Sequence, residues 1–299
     1  MKPLIIQCLL ALCFLPLVYA DPPMNGLEDR FADNNGVKIH YVVKGQGPLV
    51  VFIHGFPDFW YSWRHQLEGL SDSYTVAAMD TRGYNKSDKP KKQKAYDLAI
   101  LVEDVQAIIT QEKRDKAIIV GHDWGGMIAW QFAATHPDIT DKLVILNLPH
   151  PKLLAHQLTK NPEQQKNAAY ARQFQKPNSH KLLTADALAT MSARGDADLK
   201  AIYTEAFERS SLEAMMFYYR QNYPEVPYTE VAFPKITVPV LQFHGLDDTA
   251  LLSDGLNGTW DEVTQDYTLV TLPDAGHWPH HDAPETVTET LRWWLKMRE

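Results

Sequence analysis

Two spacings of apolar residues alternate along most of this chain. Short continuous runs rich in Val and Ile recur at Leu49–Ile53, Thr75–Met79, Ala117–Val120, Leu143–Leu146, Val238–Phe243 and Tyr267–Leu272. Between them, Tyr96–Gln111 and Trp124–Thr135 place apolar residues three and four apart, the period of a helix with one buried face. Strands apolar on both sides belong in a sheet covered by helices on both faces, the habit of parallel sheets. Val37–Val43 differs, because it follows the turn signal Asn35-Gly36 and reads as the second arm of a hairpin. The pattern predicts a mostly parallel α/β sheet with an antiparallel start.

One stretch breaks the alternation. From Pro151 to Phe233 there is no strand-like run, only helix-forming segments such as Thr184–Ser192 and Leu212–Tyr219. So long a gap is not a loop inside a compact domain. It reads as a helical insertion over one end of the sheet, with Pro234 and Pro239 at the return. The expected division is therefore an α/β core of residues 21–150 and 234–299, and a helical cap of residues 151–233.

Composition narrows the class. With 299 residues, 45% of them apolar, the chain can bury a large core, and its net charge of -8 leaves no basic footprint for nucleic acid. Residues 1–20 open with Lys2, continue as an apolar run and end in Val18-Tyr19-Ala20, which reads as a secretory signal peptide. An uncleaved anchor is the alternative, but the run is shorter than the roughly 20 residues a spanning helix needs. The expectation is a secreted or periplasmic protein without stable membrane insertion after cleavage. Cys8 and Cys13 both lie in this segment, so the mature chain is expected to use no thiol or disulfide chemistry.

The strongest chemical signal is Val120-Gly121-His122-Asp123-Trp124-Gly125-Gly126, a strand, a sharp glycine-flanked turn and a helix. It has the geometry of the G-x-S-x-G nucleophile elbow with Asp123 in the serine place, although an aspartate there can equally be a helix N-cap. His54-Gly55-Phe56-Pro57 follows the Leu49–Ile53 strand, where such a site takes its second oxyanion-hole amide. The N–H groups of Phe56 and Trp124 are the candidate pair, and His54 reads as a buried hydrogen-bonding side chain that shapes the loop. Further on, Gly245-Leu246-Asp247-Asp248 leaves one strand and Gly276-His277-Trp278 the next. An acid at the elbow, an acid, then a histidine is the chain order of nucleophile elbow hydrolases.

Taken together, these segments resemble the α/β-hydrolase-fold epoxide hydrolases. The likeness is carried by His54-Gly55-Phe56-Pro57 with Trp60 and Trp63, Asp80-Thr81-Arg82-Gly83-Tyr84, the elbow Gly121–Gly126, Gly245-x-x-Asp248 and Gly276-His277-Trp278. The resemblance implies an α/β-hydrolase fold, a mostly parallel eight-stranded sheet with the cap inserted after strand 6. It implies Asp123 as nucleophile, His277 as base and Asp248 as its orienter, with the Gly-x-x-Asp spacing favouring Asp248 over Asp247. The family holds the epoxide oxygen with two cap tyrosines. Phe217-Tyr218-Tyr219-Arg220-Gln221-Asn222 matches its aromatic-Tyr-Arg-x-Asn segment and selects Tyr219, while Tyr170 stands in the approximate place of the other. With Phe56 and Trp124, these tyrosines would contact the substrate.

In that reading the carboxylate attacks an epoxide carbon, tyrosines protonate the leaving alkoxide, and water activated by His277 hydrolyses the ester. The expected partners are a small apolar epoxide and water, the product is a vicinal diol, and no cofactor is expected. His277, His280, His281 and Asp282 crowd together but match no zinc spacing, so no metal is expected either. The closest rival is a haloalkane-type dehalogenase on the same scaffold, since the Trp124 indole could serve a halide. A binding protein that kept the fold and lost turnover is the other; it would have no use for a hydrolytic base.

Overall fold

The computed structural model describes residues 24–299, so the signal-peptide reading of residues 1–20 lies outside the described residues. The described chain builds one sheet from β1 (Glu28–Asn34), β2 (Val37–Lys44), β3 (Leu49–Ile53), β4 (Thr75–Met79), β5 (Ala117–His122), β6 (Thr140–Leu146), β7 (Val240–Gly245) and β8 (Tyr267–Leu272). The spatial order of its eight strands is β1-β2-β4-β3-β5-β6-β7-β8. β2 runs antiparallel to both β1 and β4, and every later pairing is parallel. This is the mostly parallel sheet with an antiparallel start that the strand pattern predicts, in the α/β-hydrolase arrangement that the resemblance implies.

Five core helices cover the sheet: α1 (Arg64–Leu70), α2 (Leu98–Gln111), α3 (Trp124–Thr135), α10 (Pro279–Asp282) and α11 (Pro284–Lys296). Alternate residues of β3 serve opposite faces, which explains its unbroken apolar run. Val51 and Ile53 pack with Val105 and Ile108 of α2 and with Ile128 and Phe132 of α3. Val50 and Phe52 pack on the other side with Leu67 of α1 and with Leu291 and Trp294 of α11. β7 begins at Val240, two residues later than the apolar run suggested. Pro239 has no N–H for the ladder, although its carbonyl accepts the Leu143 N–H at 3.0 Å.

Between β6 and β7 the chain is helical: α4 (Pro151–Lys160), α5 (Pro162–Asn167), α6 (Ala169–Phe174), α7 (Ala185–Ala193), α8 (Ala197–Arg209) and α9 (Leu212–Asn222). These form the cap after the sixth strand. Local chemistry starts each piece. Pro151 and Pro162 stand in the first turns of α4 and α5, where a missing N–H costs nothing. Thr184, Asp196 and Ser211 accept first-turn N–H groups of α7, α8 and α9 through their side chains.

Buried polar contacts dock the cap on the core. The Tyr218 hydroxyl donates to the Arg82 carbonyl at 2.8 Å and the Tyr203 hydroxyl to Asp58 Oδ1 at 2.9 Å. Arg82 is itself held by Asp104 of α2, donating through Nε at 2.6 Å. Both charges are buried and paired, the condition under which such groups are tolerated in an interior. No helix among the described residues is long and apolar enough to cross a membrane.

Candidate active site

The loops leaving β3, β5, β6, β7 and β8 all emerge at the carboxyl edge of the parallel sheet, where α/β proteins place their sites. Asp123 is the residue between β5 and α3. Its backbone, at φ 51° and ψ −120°, is in a region that side chains rarely occupy. The glycines around it explain how the turn closes. A Cβ on Gly121 would strike the Gly125 carbonyl, and one on Gly125 would strike the Ile53 carbonyl. The elbow thus packs backbone against backbone, and only glycine fits at either position.

The Asp123 side chain does not cap α3, which answers the N-cap alternative. Its Oδ1 accepts the Phe56 N–H at 2.8 Å instead, and its Oδ2 lies 3.6 Å from His277 Nε2. Burial opposes ionisation of this carboxyl, but the His277 hydrogen bond and charge, with the Phe56 N–H, outweigh it and hold its pKa below the usual value. Trp124 opens α3, so its N–H has no acceptor within the helix.

His277 follows β8. Its Nδ1 donates to Asp248 Oδ2 at 2.8 Å, and its own carbonyl accepts from His122 Nε2 at 2.7 Å. Burial alone would depress this imidazole. Asp248 and Asp123 reverse that and raise its pKa to about 10. Asp248 is pushed down in turn, its burial being overcome by His277, Asn147 and the Leu251 N–H. Between two anions, the imidazole is a cation at neutral pH. Asp247 is exposed at the cavity rim, while Asp248 is buried on the histidine. His54 is also buried: its Nδ1 meets the Gly55 carbonyl at 2.8 Å and its Nε2 accepts the Thr81 N–H at 3.0 Å.

Asn147, after β6, was not singled out by the sequence. Its Nδ2 donates to Asp248 Oδ2 at 2.8 Å and to the Gly276 carbonyl at 3.1 Å, and its Oδ1 accepts the Gly245 N–H at 2.9 Å. One amide therefore ties together the ends of β6, β7 and β8. The only signal in the sequence was its position immediately after a buried strand.

The two cap tyrosines reach the same place. Tyr219 on α9 is 2% exposed, its ring edge-on to Trp124 at 5.1 Å and to Phe56 at 5.7 Å. Tyr170 on α6 keeps 36% of its surface, and its ring centre lies 6.2 Å from that of Tyr219. Both line a cavity of about 530 Å³ with Asp123, Asp248, His277 and Phe56. Burial raises both phenols well above the usual value, and the Asp123 charge adds to this, so both are O–H donors at neutral pH.

The histidine-rich run is divided by the fold. His280 stacks on Trp63 at 4.4 Å, and Asp282 accepts the Gly276 N–H at 2.8 Å. His281 Nε2 lies 3.8 Å from Asp58 Oδ2. Among the described residues, Asp58, His280 and His281 bring metal-type donor atoms within 4.8 Å of one another. Their chemistry suits a cation poorly. Asp58 Oδ1 is taken by Tyr203 and the Phe59 N–H, and the Arg64 charge bears on all three groups.

Comparison with known proteins gives the family. Residues 48–284 match the family described as alpha/beta hydrolase fold. The AB hydrolase superfamily protein YfhM of Bacillus subtilis is 34% identical over 291 residues, covering 91% of this chain and 99% of its own. Epoxide hydrolase 1 of Caenorhabditis elegans is 33% identical over 288 residues, 91% of this chain and 71% of that one. The crystal structure of an epoxide hydrolase from Bacillus megaterium with an inhibitor superposes with a TM-score of 0.83 at 31% identity, covering 89% of this chain and all of that one. The chain belongs to the alpha/beta hydrolase fold family and, within it, to the epoxide hydrolases.

Proposed function

We propose that this protein hydrolyses epoxides to vicinal diols in two half-reactions, through an ester on Asp123. The observation that carries the proposal is the placement of Asp123. One oxygen is bound by a backbone amide, the other faces His277, and the cavity in front of both is lined by two protonated phenols.

In the first half-reaction Asp123 attacks an epoxide carbon and the carbon–oxygen bond breaks. The departing alkoxide is far more basic than a phenoxide, so it takes a proton from Tyr219 or Tyr170. Esterification removes one of the two negative charges that hold the proton on His277. Its pKa falls, the proton is free to restore the tyrosine, and a neutral imidazole is left. In the second half-reaction His277 takes a proton from water and the hydroxide adds to the ester carbonyl. The resulting oxyanion is stabilised by the Phe56 and Trp124 amides. On collapse the ester carbon–oxygen bond breaks and the leaving alkoxide takes the remaining proton of the added hydroxyl, which releases the diol and leaves Asp123 ionised. Asp248, fixed by Asn147, keeps the histidine's tautomer and balances the cation that returns. Protons balance around the cycle, and the free state ends as it began, with Asp123 ionised and His277 charged.

A serine at the elbow would be left as an ether, which water does not cleave; the carboxylate is what permits turnover. Export of the protein by residues 1–20 is also proposed, supported by the charged start, apolar run and small residues at the junction. The test of the mechanism is His277→Gln, incubated with styrene oxide and analysed by mass spectrometry. The expected result is a stable adduct of the epoxide's mass on the peptide containing Asp123, with little diol formed. An unmodified peptide alongside normal diol production would contradict the proposal.

A further inference from the structure

The space in front of Asp123 has two unequal arms. The larger is the cavity of about 530 Å³, which runs toward the rim between Phe174, Leu188, Met191 and Trp278. A second cavity of about 40 Å³ lies on the Trp124 side, lined also by Met127, Leu148, Leu154 and Tyr223. Asp123, Tyr170, Tyr219 and Ala250 line both. The nucleophile and the two phenols therefore stand at the waist between the arms. An epoxide held there with its oxygen toward the phenols must send its substituents in opposite directions.

The arms differ enough in size to select. One water needs roughly 10–15 Å³ on this measure, so the smaller arm takes about three water-sized groups. Hydrogen, methyl or ethyl fits; a phenyl ring of six carbons does not. The larger arm falls in the range of pockets that bury drug-sized ligands, about 300–1,000 Å³. Asp123 is the only acidic or basic side chain on the wall of the smaller arm, and the rest is aromatic or aliphatic. On the larger arm, Arg194 is occupied by an ion pair with Asp282, His277 is held between Asp123 and Asp248, and Asp247 is exposed to solvent.

Resting on the hydrolase reading above, we propose that the substrates are neutral epoxides with one bulky apolar substituent and one small end, hydrogen to ethyl. Met127 from α3 and Leu154 from α4 set the upper limit of the small end. A ring pushed against these two must displace packed side chains of both core and cap, and interiors resist such overpacking.

The test is a matched series in which the bulky phenyl stays constant and the other end grows: styrene oxide, trans-β-methylstyrene oxide and trans-stilbene oxide. The first two should have kcat/KM values within about 10-fold of each other, and stilbene oxide should be lower by about 100-fold or more. Met127→Ala and Leu154→Ala, made separately so that a folding failure in one does not remove the test, should each raise the stilbene-to-styrene ratio at least about 10-fold. Equal turnover of all three by the unaltered enzyme, or an unchanged ratio in both folded variants, overturns the proposal while leaving the hydrolase reading intact. No turnover of any of the three, with no ester on Asp123, overturns the hydrolase reading and this proposal with it.

Discussion

The two walls of the cavity are made of different materials. On the core side, the groups that face the cavity are held by backbone geometry and by buried hydrogen bonds. Asp123 sits in a strained turn packed between glycines, Phe56 offers a main-chain amide, and His277 is held by Asp248, whose position Asn147 fixes from three strand ends. On the cap side the wall is side chains on short helices. They meet the core at discrete polar points, such as Tyr203 on Asp58 and Tyr218 on the Arg82 carbonyl. The two tyrosines show the contrast: Tyr219 is wedged between Trp124 and Phe56, while Tyr170 keeps more than a third of its surface. A site held by backbone and buried hydrogen bonds tolerates little change, whereas a wall of side chains on short helices can be resurfaced to suit another substrate. The core should therefore govern ester hydrolysis, and the cap should govern ring opening and substrate shape.

Replacing the phenols tests that division most strongly. Tyr219→Phe should slow ester formation about 100-fold, Tyr170→Phe less, and the double variant should lose nearly all ring opening. Ester hydrolysis, followed separately in single-turnover experiments, should change little in either single variant. If the tyrosine variants slowed hydrolysis as much as ring opening, the two walls would not be functionally separate.

A smaller effect is expected from the core latch. Asn147→Ala leaves the buried Asp248 carboxylate without one of its donors, and should cost about 1–3 kcal/mol of stability at pH 7. Ester hydrolysis should slow about 10-fold, because the His277–Asp248 geometry loosens. The pH dependence has a definite sign. The folded pKa of Asp248 is depressed, so its stabilisation is present above the unfolded value of about 3.9 and is lost as pH falls through the folded one. The stability gap between Asn147→Ala and the unaltered protein should therefore be fullest at neutral pH and shrink in strong acid, as measured by denaturant titration. A gap that widened on acidification would show that Asn147 does not act through Asp248.

Much of this fold was legible because strands covered on both faces are continuous apolar runs, and β3 and β4 coincide with theirs; β8 keeps the bounds of its run as a partly exposed edge strand. Asp123, Asp248 and His277 could be singled out because each follows a strand at the edge where loops converge. Short helices were not legible: α5 and α6 have six residues each, too few to display a period. Asn147 escaped notice because its meaning lies in three loops that meet only in space. The same holds for Asp58, whose partners Tyr203 and His281 come from the cap and from the segment after β8. Cavity shape was illegible for a related reason, since it depends on how α4, α6, α7 and α9 dock.

The most direct measurement is a single turnover in ¹⁸O-labelled water with the enzyme in excess over the epoxide. Attack by Asp123, followed by hydrolysis at the ester carbonyl, predicts that one labelled oxygen enters the Asp123 carboxylate while the first diol released carries none. Label in that first diol, with Asp123 unlabelled, would mean that water opens the ring directly and that no ester forms.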